Sequence, residues 1–138
     1  MKSKTVRTAS AVPVGNGTAK VNNQITVRIT SIGHRFVTAK LPGQRSGDSV
    51  VLGLRIDNQA AQPLDLNAAV VTLTDSAGDP ATAITTDPAT TFPNELAPGE
   101  SATATYVFIV PKNRRDPVDI DVTVNADQQV VVFHGDVG

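Results

Sequence analysis

"LAPGESATATYVFIVP", residues 96–111, decides the fold. Pro98 presets φ and Gly99 accepts φ > 0, so Ala97 to Glu100 suits a tight turn of type II. From Ser101 onward the period is two. Ala102, Ala104, Tyr106, Phe108 and Val110 fall on one face, and Thr103, Thr105, Val107 and Ile109 on the other. The second half is apolar on both faces, the pattern of a strand central to its sheet or covered by a loop. Pro111 cannot donate a ladder hydrogen bond and ends the strand.

The same alternation recurs on both sides of this segment. In "QITVRITS" Ile25, Val27 and Ile29 oppose Thr26, Arg28 and Thr30, and in "VVLGLRIDN" Leu52, Leu54 and Ile56 oppose Val51, Gly53 and Arg55. "AAVVTLTD" runs into "DSAGDP", whose Asp, Ser, Gly and Pro supply turn chemistry, and the short "ATAIT" completes a hairpin. "VDIDVTVN" sets Val118, Ile120, Val122 and Val124 against Asp119, Asp121, Thr123 and Asn125, and "QVVVFHG" closes the chain. No window carries the i, i+3, i+4 apolar pattern of an amphipathic helix. About seven to nine short strands separated by Pro and Gly turns predict an all-β, antiparallel sandwich. Its expected core includes Ile25, Val27, Leu52, Leu54, Ile56, Leu73, Tyr106, Phe108, Ile120 and Val122.

A chain of 138 residues with 40% apolar and 18% charged residues is long enough for one core and too apolar for disorder. The net charge of -1 supplies no field to gather nucleic acid or anionic lipid. Cysteine is absent, which excludes disulfides, thiolate nucleophiles and Cys-ligated metal. No apolar run approaches a membrane span, so direct membrane insertion by this segment is not expected. The opening "MKSKTVRTASAVPVGNGTAK" is basic, but no apolar signal-peptide core follows it. Its Ser, Thr, Ala, Gly and Asn read as a flexible linker over residues 1–20, with the sandwich domain at 21–138.

"VVLGLRIDNQAAQPLDL", "VTLTDSAGDP" and "LAPGESATATYVFIVP", in that order, resemble an immunoglobulin-like domain of unknown function found in secreted proteins and lipoproteins of Gram-positive bacteria. That family is similar to the mycobacterial immunoprotective extracellular protein. The resemblance covers about residues 22–134 and rests on a strand ending at Asn58, a turn of Thr74, Asp75 and Gly78, the Pro98–Gly99 turn, and a strand ending Phe108 to Pro111. It implies an immunoglobulin-like sandwich and an extracellular or cell-surface location, with the signal or anchor lying upstream of this segment. It transfers no catalytic residue. A fibronectin type III domain also uses a Leu-x-Pro-Gly turn, but its corner tyrosine falls six positions after the Leu, where this chain has Ala102 and not Tyr106.

Candidate chemistry is thin. His34, in the apparent turn "SIGHRF", and His134 lack a ligand or carboxylate at nearby spacing. Asp75, Ser76 and Asp79 resemble an acidic calcium loop only faintly, being too few and without a distal Glu, and Asp116, Asp119 and Asp121 read as solvated carboxylates. Lys112, Arg114 and Arg115 in "PKNRRD" read as a solvated turn. No G-x-S-x-G elbow, P-loop, G-x-G-x-x-G or H-E-x-x-H is present. No catalytic residue, cofactor or metal ligand is therefore assigned.

The alternation of "YVFIV" forces Val107 and Ile109 outward. A loop over Thr85 to Asn94 lying across them is the favoured account, and a patch receiving a partner or a second copy of the chain is the sharper one. The sequence thus predicts a non-enzymatic, exported interaction or structural module with an unidentified protein partner or self-association. A small-ligand or metal-binding extracytoplasmic carrier is the alternative.

Overall fold

The long strand at 101–109 pairs on both sides, as its two apolar faces require. The computed structural model, which describes residues 12–15, 17–38, 47–85, 89–125 and 130–138, contains among them eleven strands and one turn of 3-10 helix. They are β1 (Val12–Pro13), β2 (Thr18–Lys20), β3 (Ile25–Val37), β4 (Gly47–Asn58), β5 (Leu64–Asp65), β6 (Val70–Thr74), β7 (Thr82–Ile84), β8 (Glu95–Leu96), β9 (Ser101–Ile109), β10 (Val118–Thr123) and β11 (Val131–Gly135). The helical turn is Lys112–Arg114.

A four-stranded sheet in the order β1-β11-β10-β6 packs against a five-stranded sheet in the order β2-β3-β4-β9-β7, and β5 and β8 form a short separate ladder. The chain is an all-β sandwich, as its alternation predicts. The register explains why one core suffices. Val50, Leu52 and Leu54 of β4 stand opposite Phe108, Tyr106 and Ala104 of β9, so their side chains leave the sheet on the same face. Ile120 and Val122 of β10 stand opposite Phe133 and Val131 of β11 in the other sheet. All of these but Tyr106 belong to the buried core, with Val27, Ile56 and Leu73. Burying a side chain such as Phe108 contributes on the order of 1.5–3 kcal/mol. Tyr106 alone of the expected core residues is half-buried, packed against the core by its ring.

Three readings of the sequence change. Residues 12–20 are not linker where they are described. Val12 and Pro13 pair in parallel with Phe133 and His134, Thr18 to Lys20 pair with Arg28 to Thr26, and Val14 and Ala19 are 3% and 2% exposed. Strands of two and three residues are too short to display a period, and so passed for linker. Residues 1–11 and 16 lie outside the described residues.

His34 lies in a strand and not a turn. The β3–β4 pairing shifts register between Ile29 and Ser31, so the residues on the core side of the sheet run Ile25, Val27, Ile29 and then Ile32 and His34, while Phe36, farther along, is exposed. The extra residue breaks the alternation that marks a strand in sequence. Gly53 faces this bulge: a Cβ there would collide with the Ser31 hydroxyl.

"ATAIT" does not form a hairpin with the strand before it. A Thr74–Pro80 bridge and the bond from the Ala81 N–H to the Leu73 carbonyl close the turn, and β7 then crosses to the opposite sheet to pair with Val107 to Ile109.

Candidate functional site

The Asp75 carboxylate is committed to its own turn. Its Oδ1 accepts the backbone N–H of Ala77 at 2.9 Å and of Asp79 at 3.0 Å, closing the turn in which Gly78 takes φ 88°. The guanidinium of Arg114 stands 3.5 Å from Asp75 and 3.1 Å from Asp79. The N–H of Asp79 first, with that of Ala77 and the charge of Arg114, holds the Asp75 carboxyl below the ordinary aspartate value against the opposing effect of its burial. These oxygens serve a turn, with a cation already beside them.

The outer face of β10 carries the second acidic group. Asp119 stands opposite His134 in the ladder, and its Oδ1 meets the ring Nδ1 at 2.5 Å. His134 thus has a carboxylate partner that sequence spacing could not show, because register and not spacing brings them together. Desolvation raises the pKa of Asp121, and the neighbouring charge of Asp119 adds to the rise. Asp116 lies in the loop before β10. Among the described residues no three His, Asp or Glu side chains are placed to hold a metal ion.

At one end of the sandwich His34 Nε2 meets the carbonyl of Val137 at 2.6 Å. Beside this contact Arg115 is 7% exposed, donates from Nε to the Val110 carbonyl at 3.0 Å and accepts the N–H of Val137 on its own carbonyl. The reading of "PKNRRD" as a solvated turn therefore fails at Arg115, although Lys112 is exposed. The 3-10 turn redirects the chain so that the aliphatic stem of Arg115 lies beside Gly138.

Val107 and Ile109 point away from the core, as parity requires, but they do not form open surface. Val107 is 1% exposed, with Val51 and Ile84 beside it in the ladder, and it lies outside the main core. Ile109 is half-buried and forms part of the wall of a hollow of about 390 Å³ with Asp75, Asp79 and Arg114. The segment after β7 runs beside β9. Thr90 donates its N–H to the Thr105 carbonyl at 2.9 Å and accepts the Thr105 N–H on its hydroxyl at 2.9 Å. Residues 86–88 of the expected cover lie outside the described residues.

One feature has no counterpart in the sequence reading. A hollow of about 340 Å³ opens between the start of β6 and β9, lined in part by Asn67, Thr91, Phe92, Asn94 and Tyr106. The rings of Phe92 and Tyr106 lie 6.1 Å apart and tilted by 47°, and Tyr106 stacks on Phe108 at 6.5 Å. Burial pushes the Tyr106 phenol up from its ordinary pKa, so it is a neutral hydroxyl at pH 7. A second, more apolar hollow of about 140 Å³ shares Thr91 and Tyr106 with the first. The lining comes from segments far apart in sequence, and no local motif marks it.

No family model and no curated protein matches the chain. Solved structures similar in fold include two bacterial proteins. The yjhA protein from Bacillus subtilis has a TM-score of 0.65 at 10% identity, over 88% of this chain and 99% of that one. A functionally unknown protein from Listeria monocytogenes EGD-e has a TM-score of 0.65 at 13% identity, over 99% of this chain and 89% of that one. At these identities the likeness is one of fold, and the sandwich extends over nearly the whole of each chain.

Proposed function

We propose that the chain is a non-enzymatic interaction or structural module of the immunoglobulin-like type, exported by a Gram-positive bacterium and held at or released from its surface. The observation that carries the reading is the use to which the reactive side chains are put. Asp75 closes a turn, Asp119 and His134 pair across a ladder, and Arg115 donates to the Val110 carbonyl just past the end of β9. These groups support a scaffold, and a scaffold acts through the surfaces it presents. The resemblance of the Asn58, Pro98–Gly99 and Phe108–Pro111 segments to the immunoglobulin-like family of secreted proteins and lipoproteins supports both the type and the location. Among the described residues no helix is long and apolar enough to cross a membrane.

A small-ligand carrier is the second reading, favoured by the hollow beside Tyr106. A thermal-shift series with Ca²⁺, Zn²⁺ and Cu²⁺, joined to cross-linking on intact cells, tests the proposal. A module gives a discrete cross-linked partner or a dimer and no shift with the cations. A metal carrier gives a melting temperature that rises with one cation, because a ligand bound only by the native state must stabilise it.

A further inference from the structure

The hollow beside Tyr106 has the chemistry of a binding site for an uncharged, hydroxyl-rich ligand. It is lined by the buried Leu66 and Phe92, the half-buried Ala69 and Tyr106, and, on its exposed side, Asn67, Asn94 and Thr91. None of these side chains carries a charge. The hydrogen bonds that Asn67 and Asn94 make with other described residues go through the backbone: the Asn67 N–H donates to Asp65, and the Asn94 carbonyl accepts from Leu66 at 2.8 Å. Their carboxamides, and the hydroxyls of Thr91 and Tyr106, make no side-chain hydrogen bond to another described residue.

Each free carboxamide offers two N–H donors and a carbonyl acceptor, and each hydroxyl both gives and takes. This is the mixed set that neighbouring sugar hydroxyls need. The aromatic wall supplies an apolar surface for the C–H face of a pyranose. The volume of about 340 Å³ lies within the range of small-ligand pockets, ~300–1,000 Å³. A charged ligand would find no counter-charge in this lining, and a purely apolar one would leave the rim amides unpaired on desolvation.

We propose that this hollow binds a neutral saccharide unit, with Tyr106 forming the wall against the ring and the Asn67 and Asn94 carboxamides reading its hydroxyls. The inference stands on the hollow itself and does not depend on where the protein resides. It would give the module a glycan as ligand.

The chain contains one tyrosine and no tryptophan, so its tyrosine emission reports on Tyr106 alone. The test titrates the whole chain with neutral mono- to trisaccharides of glucose and of N-acetylglucosamine, following Tyr106 fluorescence and the side-chain amide signals of Asn67 and Asn94 by NMR. The expected result is a saturable change with at least one series, confined to the hollow. Asn67→Ala with Asn94→Ala should weaken it by about tenfold or more, since a site that reads hydroxyls loses its readers, while the melting temperature stays unchanged. Tyr106→Phe keeps the ring and should weaken binding less, as followed by NMR. The absence of saturable change with every saccharide would overturn the proposal. So would binding that leaves Asn67 and Asn94 unperturbed, or that survives their replacement.

Discussion

The side-chain amide of Asn58 donates to the backbone carbonyl of Leu96 at 3.0 Å, in the interior of the sandwich. The same amide donates to the Gln62 carbonyl at 3.0 Å, its oxygen accepts the Ala60 N–H at 3.0 Å, and its backbone carbonyl accepts the Gly99 N–H at 2.7 Å. One fully buried residue thus holds the end of β4, the loop after it and the turn before β9. A buried polar network of this kind is stable only when every member is satisfied. Asn58→Leu removes the side-chain bonds to Leu96, Gln62 and Ala60 while keeping the branched shape and the number of heavy atoms, and should cost about 3 kcal/mol in urea unfolding. A loss below about 1 kcal/mol would show that water replaces the amide without penalty.

Phe108→Ala tests the core directly. The ring is buried between the sheets and stacked on Tyr106. Its removal should cost about 3–5 kcal/mol, from lost transfer energy and the cavity left behind. Tyr106→Ala should cost less, because half-exposed surface contributes less on burial.

Val107→Thr adds a hydroxyl at a position that is 1% exposed, and should cost about 1–3 kcal/mol. Ile109→Thr should cost less, since Ile109 already borders the hollow near Arg114. Equal and negligible losses at both positions, measured by denaturant melts, would mean that Val107 is open to solvent in the free chain.

Truncation separates linker from sandwich. Deleting residues 1–20 removes the β1–β11 and β2–β3 ladders and uncovers core that Val14 and Ala19 close, so the melting temperature should fall clearly. An unchanged melting temperature would restore the reading of this segment as dispensable.

Two aspartates should bend the pH profile of stability in opposite directions. Asp75 titrates lower in the folded chain than in the unfolded one, so its contribution is present above the unfolded value of 3.8 and is lost as pH falls through the folded one. Asp121 titrates higher when folded, so the folded chain holds its proton longer and stability declines as pH rises past 3.8. Asp75→Asn should therefore destabilise at pH 7 and flatten the acid limb, whereas Asp121→Asn should stabilise at pH 7. Both differences should shrink in strong acid, as thermal melts across pH 2 to 7 can show.

These positions also show what the sequence could reveal. Wherever a strand kept strict alternation, as at Leu52–Leu54–Ile56 and Ile120–Val122, core and face were legible, because a period of two maps directly onto the pleat. The Ala97–Glu100 turn was legible for the same local reason: Gly99 takes φ 79°, and the Glu100 N–H reaches the Ala97 carbonyl at 3.0 Å. His34 was misplaced because a bulge shifts the phase after Ile29. Asp119 and His134 meet only through the ladder register, and the hollow gathers Asn67, Asn94 and Tyr106 through tertiary packing. Those relations are set by which strands become neighbours, and no local pattern carries that information.

Export is the claim on which the functional account turns. The most direct measurement treats intact cells of the source bacterium with a protease and follows the native protein with an antibody, alongside a cytosolic marker. The account predicts that the protein is cleaved or found in the medium while the marker stays whole. Full protection together with the marker, and digestion only after lysis, would contradict it.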